Sequence, residues 1–163
     1  MLRDAQAQDH PAVVSLNDGS VRFLSPMDGQ RLSSLAKASC YFRVAEAEKT
    51  VVAFLLAFRK GADYDSPNFQ WFDQRFDDFI YIDRVVVDPE FRGKGIAKNF
   101  YNDLEKFAVS SGVFRLTCEV DVSPPNPVSL EFHDAWGFRE IDRHAPYDGS
   151  KIVSLRTKIL RLP

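Results

Sequence analysis

One stretch, residues 82–98, constrains the fold of this chain more than any other part of the sequence. It begins with a short apolar run, typical of a buried strand, which contains three valines and stops at Asp88-Pro89, a pair that favours a turn. After the loop Arg92–Gly95, apolar residues recur with the spacing of an amphipathic helix, at Ile96, Phe100, Leu104 and Phe107. The stretch therefore predicts a strand that leads through a glycine-bearing loop into a helix.

The start of this predicted helix can bind an anion. The first amides of a helix have no intrahelical partner and lie at the positive end of its dipole. Gly93 and Gly95 let the backbone approach a bulky ligand, and Arg92, Lys94 and Lys98 add positive charge. A phosphate or pyrophosphate is the expected ligand, and a tight basic turn without a ligand is the alternative.

Two familiar phosphate-binding motifs do not fit the loop. A Walker loop ends in Gly-Lys-Ser/Thr, whereas Gly93-Lys94 is followed by Gly95. In the Rossmann fingerprint, the third small residue would fall on Lys98, whose long side chain obstructs close helix-to-strand packing.

The loop instead resembles motif A of the GNAT superfamily of acetyl-CoA-dependent N-acetyltransferases. The family pattern Arg/Gln-x-x-Gly-x-Gly/Ala stands here as Arg92-Gly93-Lys94-Gly95-Ile96-Ala97, and residues 126–138 are similar to the downstream Asn...Phe-Tyr-x-x-x-Gly-Phe element. The resemblance covers residues 79–138. It implies a single N-acetyltransferase domain over residues 1–163, with an α/β (α+β) fold, a mixed sheet of six or seven strands and helices on both faces.

Composition agrees with one enzyme-sized domain. The chain has 163 residues, of which 45% are hydrophobic, and a formal net charge of −2. This charge argues against a general nucleic-acid or membrane-surface binder. Two cysteines, Cys40 and Cys118, are too few for a disulfide framework. The amino terminus lacks the apolar core of a signal peptide, and the longest apolar run, 51–58, is too short to span a bilayer. We therefore expect a cytoplasmic protein.

The amino-terminal half predicts two short helices and a hairpin. Asp9 is the expected cap of the first helix, and Ser25, followed by Pro26, is the expected cap of the second. The runs 41–45 and 50–59 predict an antiparallel hairpin, with the second strand covered on both faces. The aromatic segment 69–76 has two interpretations, a short helix that plugs one end of the sheet or a wall over the acceptor pocket.

The carboxyl-terminal half predicts a parallel pair and then two further strands. Strands over 79–87 and 114–122 flank the long helix, so a right-handed crossover makes them parallel. A helix capped by Asn126 follows, with Pro127 at its first position. The last two predicted strands cover 138–141 and 152–159.

The resemblance also implies the residues that contact acetyl-CoA. In this family the two strands beside motif A splay apart and admit the pantetheine arm, while loop amides hold the pyrophosphate. The predicted contacts are Val85, Val86, Val87, Arg92, Gly93, Lys94, Gly95, Ile96, Ala97, Asn126, Ser129 and Phe132. Core packing is the alternative role for the valines, and helix capping is the alternative for Asn126.

An acceptor amine must lose a proton, so a carboxylate is the expected base. Asp83 is the first candidate, with an ion pair to Arg84 or Arg115 as its alternative role. Glu119 is the second, with a solvated strand position as its alternative, and the Tyr81 hydroxyl is the third.

His133 stands where many family members have the tyrosine thought to protonate the departing thiolate. An imidazolium could supply that proton, because the ordinary pKa of histidine lies close to neutral pH. A surface or packing role is the alternative. No metal site is expected, since the three histidines (His10, His133 and His144) have no ligand-like spacing.

The predicted function is acetyl transfer from acetyl-CoA to a primary amine, by direct attack and without a covalent enzyme intermediate. A small-molecule amine is the expected acceptor, although amino acids, antibiotics and protein amino termini all stay open. The alternatives are a non-catalytic acyl-CoA-binding regulatory module and a nucleotide-phosphate binder. A homodimer is common in the family.

Overall fold

A computed structural model describes residues 1–161, so that the last two residues of the predicted domain lie outside the described part. Its seven strands form one mixed sheet in the order β1-β2-β3-β4-β5-β7-β6, which confirms the expected fold class and strand number. The strands are β1 (Leu2–Asp4), β2 (Tyr41–Ala47), β3 (Thr50–Arg59), β4 (Ile80–Val87), β5 (Arg115–Ser123), β6 (Arg139–His144) and β7 (Ile152–Ile159). The helices are α1 (His10–Asp18), α2 (Gly29–Ala38), α3 (Pro67–Asp73), α4 (Ile96–Ser110) and α5 (Pro127–Ala135).

The chain groups into two compact units. The first comprises Met1–Phe58 and Ile82–Phe107, and the second comprises Arg59–Tyr81 and the chain from Ala108 onwards. The assignment of the whole chain to one domain stays a prediction. Within residues 1–161, no helix combines the length and the apolar character that a membrane crossing requires.

In the first unit, the predicted hairpin is confirmed. β2 and β3 pair antiparallel, and Ala47 lies opposite Thr50. The two turn residues between them, Glu48 and Lys49, have φ values of 50° and 65°, as a tight two-residue hairpin turn requires. The side chains from Val52 to Phe58 are buried, as expected for a strand covered on both faces.

Of the two predicted caps of the early helices, the first is confirmed in position and the second is wrong. Asp9 is the N-cap residue of α1, but its carboxylate accepts hydrogen bonds from Arg3 and from the Gln6 amide and makes no cap bond to the helix. α2 begins at Gly29, where the Asp28 carboxylate accepts a 2.7 Å hydrogen bond from the Arg31 amide. The helix starts later than the Ser25-Pro26 signal indicated because a carboxylate three residues before Arg31 provides a competing cap.

α4 is fixed to β2 by a polar anchor at Asp103, the middle residue of the helix. The Tyr41 hydroxyl and Nη1 of Arg43 each donate a 2.7 Å hydrogen bond to Oδ2 of Asp103. The Asp103 hydrogen bond and burial together raise the pKa of Tyr41, with burial the larger cause. On the apolar face of the helix, Phe100 and Leu104 are buried. The position of α4 in the first unit therefore depends on packing and on this anchor.

In the second unit, the first residues of β4 pair parallel with β5, with Ile80 opposite Leu116, as predicted. β7 pairs antiparallel with both β5 and β6. β6 lies at the edge of the sheet, and its pairing is interrupted by a bulge at Ile141. Every residue of β6 except His144 is exposed.

The aromatic segment forms α3 and packs as core. The Ser66 hydroxyl caps this helix at the Phe69 amide. Phe69 and Phe72 are buried, and their rings lie 5.6 and 5.9 Å from that of Tyr81. The burial of these rings favours the plug interpretation over the pocket wall.

We predict that Asp103→Ala lowers the free energy of unfolding by about 2 kcal/mol, because the buried Tyr41 hydroxyl loses its acceptor. Chemical denaturation measures this change. Asp78→Ala is the matched control, since it removes an Arg–Asp pair whose side chains are both exposed, and it should cost less than about 1 kcal/mol. Equal losses of unfolding free energy in the two variants would show that the Asp103 anchor stabilises the protein no more than an exposed ion pair does.

Candidate active site

The loop between β4 and α4 has the conformation that the sequence predicted. A 3₁₀ turn, Pro89–Phe91, follows β4, and the Asp88 carboxylate accepts a 2.9 Å hydrogen bond from the Glu90 amide. Gly93 and Gly95 have φ values of 74° and 79°, in the left-handed region that favours glycine. The Asn99 amide donates to the Gly95 carbonyl, so the amides of residues 96–98 precede the first intrahelical bond of α4.

The mouth of this loop is open. A Cβ atom placed on Gly93 or Gly95 would meet no protein atom within 4 Å other than those of its own chain neighbours. Two basic side chains lie along its rim: Nε of Arg92 donates a 3.2 Å hydrogen bond to the Val87 carbonyl, and Nζ of Lys94 lies 4.4 Å from the centre of the Phe91 ring. Unpaired amides, open space and positive charge together fit a pyrophosphate group. The contacts assigned to residues 92–97 stay predictions.

The end of β4 carries the three predicted valines. Val85 and Val87 are half-buried and share a strand face with Asp83, whereas Val86 is buried. The Asp88 amide donates a 2.9 Å hydrogen bond to the Val52 carbonyl, which ties this end of β4 to β3. The predicted gap beside β4, and the main-chain contacts of the valines to pantetheine, stay predictions.

Asp83 is held in an ion pair. Nε of Arg84 lies 2.6 Å from Oδ2 of Asp83, and both side chains are only 5% exposed. The alternative structural role given to Asp83 is therefore present, with Arg84 as the partner. A carboxylate held in this way could still accept a proton through its other oxygen, so the base assignment stays a prediction.

The other two base candidates lie in the second unit. Glu119 is half-buried on β5, opposite Leu155 of β7. Tyr81 is completely buried among the aromatic rings of α3. The burial of its hydroxyl makes Tyr81 the weakest of the three candidates.

α5 begins as predicted. The Asn126 side chain caps it by accepting a 3.3 Å hydrogen bond from the Ser129 amide, and Pro127 occupies its first position. Phe132 is half-buried and stacks on Trp136, with ring centroids 5.8 Å apart and planes inclined by 9°. Asn126 thus has its structural role, and the coenzyme contacts of Asn126, Ser129 and Phe132 stay predictions.

His133 is buried and neutral. Its ring nitrogen Nδ1 lies 2.7 Å from the Ser129 carbonyl oxygen, which can only accept, so Nδ1 carries the proton. Burial lowers the pKa of His133 to about 4, an effect that Arg156 reinforces and the bond to Ser129 opposes. An imidazolium at pH 7 would therefore cost about 4 kcal/mol. The sequence argument assumed an ordinary pKa, and the structure does not support the charged acid that this argument required.

Sequence analysis missed a buried cation beside α5. Arg156 of β7 is buried, and its guanidinium donates to the Asp134 carboxylate and, at 3.1 Å, to the Ser154 hydroxyl. Glu140 lies opposite Arg156 in the β6–β7 pair, and Ser154 and Arg143 lower its pKa by hydrogen bonding. The sequence carries only a weak signal for this cation, because Arg156 stands among other polar residues of β7, namely Ser154, Thr157 and Lys158.

No metal centre is evident in the described part of the chain. Within residues 1–161, no group of three or more histidine, cysteine, aspartate or glutamate side chains is arranged to hold a metal ion. Cys40 and Cys118 are both free.

The fold and the glycine loop define an acetyltransferase class, and sequence comparison agrees. The model of the Acetyltransferase (GNAT) family matches residues 4–138, so the chain belongs to this family. Among solved structures, Ard1 from Thermoplasma volcanium has a TM-score of 0.78 and 17% identity, with 99% of this chain and 98% of that chain covered. A similarity at this identity supports the fold.

Two curated relatives are similar over part of the chain. Aminoglycoside N(6')-acetyltransferase type 1 of Salmonella typhimurium is 30% identical over 64 residues, which are 39% of this chain and 43% of the relative. Glucosamine 6-phosphate N-acetyltransferase of Trypanosoma brucei brucei is 32% identical over 68 residues, which are 42% of this chain and 43% of the relative. The chain thus matches less than half the length of each relative.

We predict that the stability of the protein falls between pH 7 and pH 5 partly because of His133. The folded-state pKa lies below the ordinary value of 6.5, so the unfolded chain binds the proton first and stability is lost as the pH falls through 6.5 towards 4. At pH 5 the loss is about 2 kcal/mol. Chemical denaturation at both pH values should show a smaller loss in His133→Gln.

His10→Gln is the matched control for this experiment, because the His10 ring is only half-buried. It should keep the pH dependence of the wild type. The same pH dependence in the wild type and in His133→Gln would contradict a buried, neutral His133.

Proposed function

We propose that this protein is an N-acetyltransferase that moves an acetyl group from acetyl-CoA to a primary amine. The observation that carries the proposal is the open mouth of α4, where amides without intrahelical partners lie beside the basic side chains of Arg92 and Lys94. Membership of the GNAT family supports the reaction class.

In the proposed mechanism, the loop 92–97 binds the pyrophosphate, and the main chain of Val85 to Val87 aligns the pantetheine arm as a neighbouring strand would. Asn126, Ser129 and Phe132 add contacts from α5. The amine nitrogen attacks the thioester carbon, the new C–N bond forms and the C–S bond breaks. The products are an acetamide and coenzyme A thiol, so one amine proton is transferred in net terms to the sulfur.

Asp83 is the proposed base for the amine proton, and Glu119 is the second candidate. His133 is neutral in this mechanism, with its proton on Nδ1, and it does not act as the acid, because an imidazolium is costly at this buried position. Protonation of the leaving thiolate is therefore assigned to solvent, because a thiolate is a tolerable leaving group near neutral pH.

A small-molecule amine is the proposed acceptor. The two curated relatives are named for an aminoglycoside and for glucosamine 6-phosphate, both small amine-bearing molecules, and this supports the proposal. Amino acids and protein amino termini are the alternatives to test beside them. We further propose a cytoplasmic protein that forms a homodimer, which cell fractionation and analytical ultracentrifugation would examine.

A non-catalytic acyl-CoA-binding module is the rival proposal. Two observations favour it: His133 replaces the usual tyrosine and is held neutral, and Asp83 is engaged by Arg84. A nucleotide-phosphate binder is a third possibility. If the protein is such a binder, ATP or NAD should raise its melting temperature as much as acetyl-CoA does.

We predict that thiol release from acetyl-CoA accelerates in the presence of at least one amine from a panel of an aminoglycoside, glucosamine 6-phosphate and an alanine-initiated peptide. Asp83→Asn should lower kcat by roughly 100-fold, because it removes the base. Asp78→Asn is the control, since this exposed carboxylate lies outside the candidate residues. Coenzyme binding without turnover of any amine, and without an effect of Asp83→Asn, would support the rival module.

We also predict that Gly95→Ala weakens coenzyme A binding at least tenfold in calorimetry. The new methyl group meets no protein atom but projects into the open mouth, and the left-handed backbone costs alanine about 1 kcal/mol. Gly29→Ala is the matched control, because that glycine also has open space around it and lacks a positive φ. Unchanged affinity in Gly95→Ala would place the coenzyme elsewhere.

A further inference from the structure

A buried polar cluster lies where β4 meets the connection between α1 and α2. Its centre is the Arg84 guanidinium, which bonds to Asp83 at 2.6 Å through Nε. Through Nη1 the same group donates to Oδ1 of Asn17 at 2.9 Å and to the Ser25 carbonyl at 3.3 Å. The Asn17 amide donates to the Ser25 carbonyl as well, at 3.2 Å. The Arg84 side chain thus joins β4 to the last turn of α1 and to the α1–α2 connection.

One contact precedes the connection and the other lies within it. Asn17 lies in the last turn of α1, and Ser25 lies four residues before the first residue of α2. Residues 19–24 therefore form a loop between the last turn of α1 and Ser25, and the bonds of Arg84 and Asn17 hold its two sides together. Asn17 is completely buried and its bond to Arg84 is shielded from water, whereas Ser25 is exposed and its two bonds are only partly buried.

Stability alone does not account for this arrangement. Removing a guanidinium and a carboxylate from water is costly, and a well-packed apolar pair at such a site is often as stable or more stable. What the cluster provides is a fixed geometry: the planar guanidinium holds several acceptors in directions that a lysine ammonium cannot match.

We propose that Arg84 is a positioning residue for the acetyl-transfer reaction. It holds the Asp83 carboxylate in one orientation and ties that orientation to the α1–α2 connection, so that the base and this segment keep a fixed relation. The proposal rests on the proposed function, in which Asp83 accepts the amine proton. Asn17 has a second positioning role, because it accepts a hydrogen bond from Arg84 and donates one to the Ser25 carbonyl.

The test uses the full-length protein, the panel of amines given above and three variants. Arg84→Lys keeps the charge but loses the simultaneous contacts, and Asn17→Ala removes the link to the loop. Arg59→Lys is the matched control, because it changes an Arg–Asp pair whose side chains are exposed. For each protein, coenzyme A titration counts the folded, binding-competent fraction before kcat and KM are measured.

We expect Arg84→Lys to lower kcat at least tenfold per competent site while its affinity for coenzyme A stays within twofold of wild type. Asn17→Ala should raise KM for the amine several-fold, and Arg59→Lys should change neither constant. A purely structural role would instead lower the competent fraction and leave kcat and KM per competent site within twofold of wild type, and this result would overturn the proposal.

Hydrogen exchange separates a failure of this proposal from a failure of the proposed function. Amides of residues 18–28 should exchange faster in Arg84→Lys and Asn17→Ala than in wild type. If the wild type turns over no amine of the panel, the proposed function is what fails. Hydrogen exchange alone then tests whether Arg84 and Asn17 hold the α1–α2 connection in place. Unchanged hydrogen exchange over residues 18–28 in both variants would show that Arg84 and Asn17 do not fix the connection, and it would overturn the proposal whatever the activity.

Discussion

The structure depends on how the chain leaves a buried strand and enters a helix within a few residues. β4 is tied to β3 by the hydrogen bond between Asp88 and Val52, and α4 is tied to β2 through Asp103. Between these two anchors the backbone has room for only a short loop, which reaches the helix through positive φ at Gly93 and Gly95. The loop amides are therefore held in place before a ligand arrives, and little ordering free energy remains to be lost on binding.

Burial, rather than residue type, decides the chemistry of the candidate side chains. A histidine on a helix would ordinarily titrate near neutral pH, but His133 lies under the apolar rings of Phe132 and Phe138 with a cation, Arg156, in the same part of the second unit. Asp83, in the first unit, is instead accompanied by a guanidinium that is itself buried. His133 is thus held in one protonation state, and Asp83 in one orientation, by the side chains that pack around them.

Local signals in the sequence were sufficient for the elements that depend on local physics. The glycine loop, the β2–β3 hairpin and the Asn126 cap each follow from a few adjacent residues, and the structure contains all three. The start of α2 was mispredicted because Ser25 and Asp28 compete for one helix start, and the bond from the Arg31 amide to Asp28 decides between them. The coenzyme and acceptor contacts could be proposed only through the family resemblance.

The buried networks could not have been predicted in the same way. Arg84 bonds to Asn17, 67 positions earlier, and Arg156 bonds to Asp134 on another element. The sequence shows that charged residues lie within these two strands, but it does not show their partners. Which partner satisfies it is settled by tertiary packing, because a buried charge recruits whatever acceptor the fold brings near.

The exposed strand β6 also affects how the protein behaves at high concentration. An unpaired sheet edge is a template for another strand, and long flat edges promote aggregation. Here the outermost strand is kinked by the bulge at Ile141 and carries Arg139, Glu140, Asp142 and Arg143 on its exposed positions. A second strand adding to this edge would lose hydrogen bonds at the kink and would bring like charges together in some registers. The edge is thereby protected against open-ended stacking of chains, which favours colloidal stability.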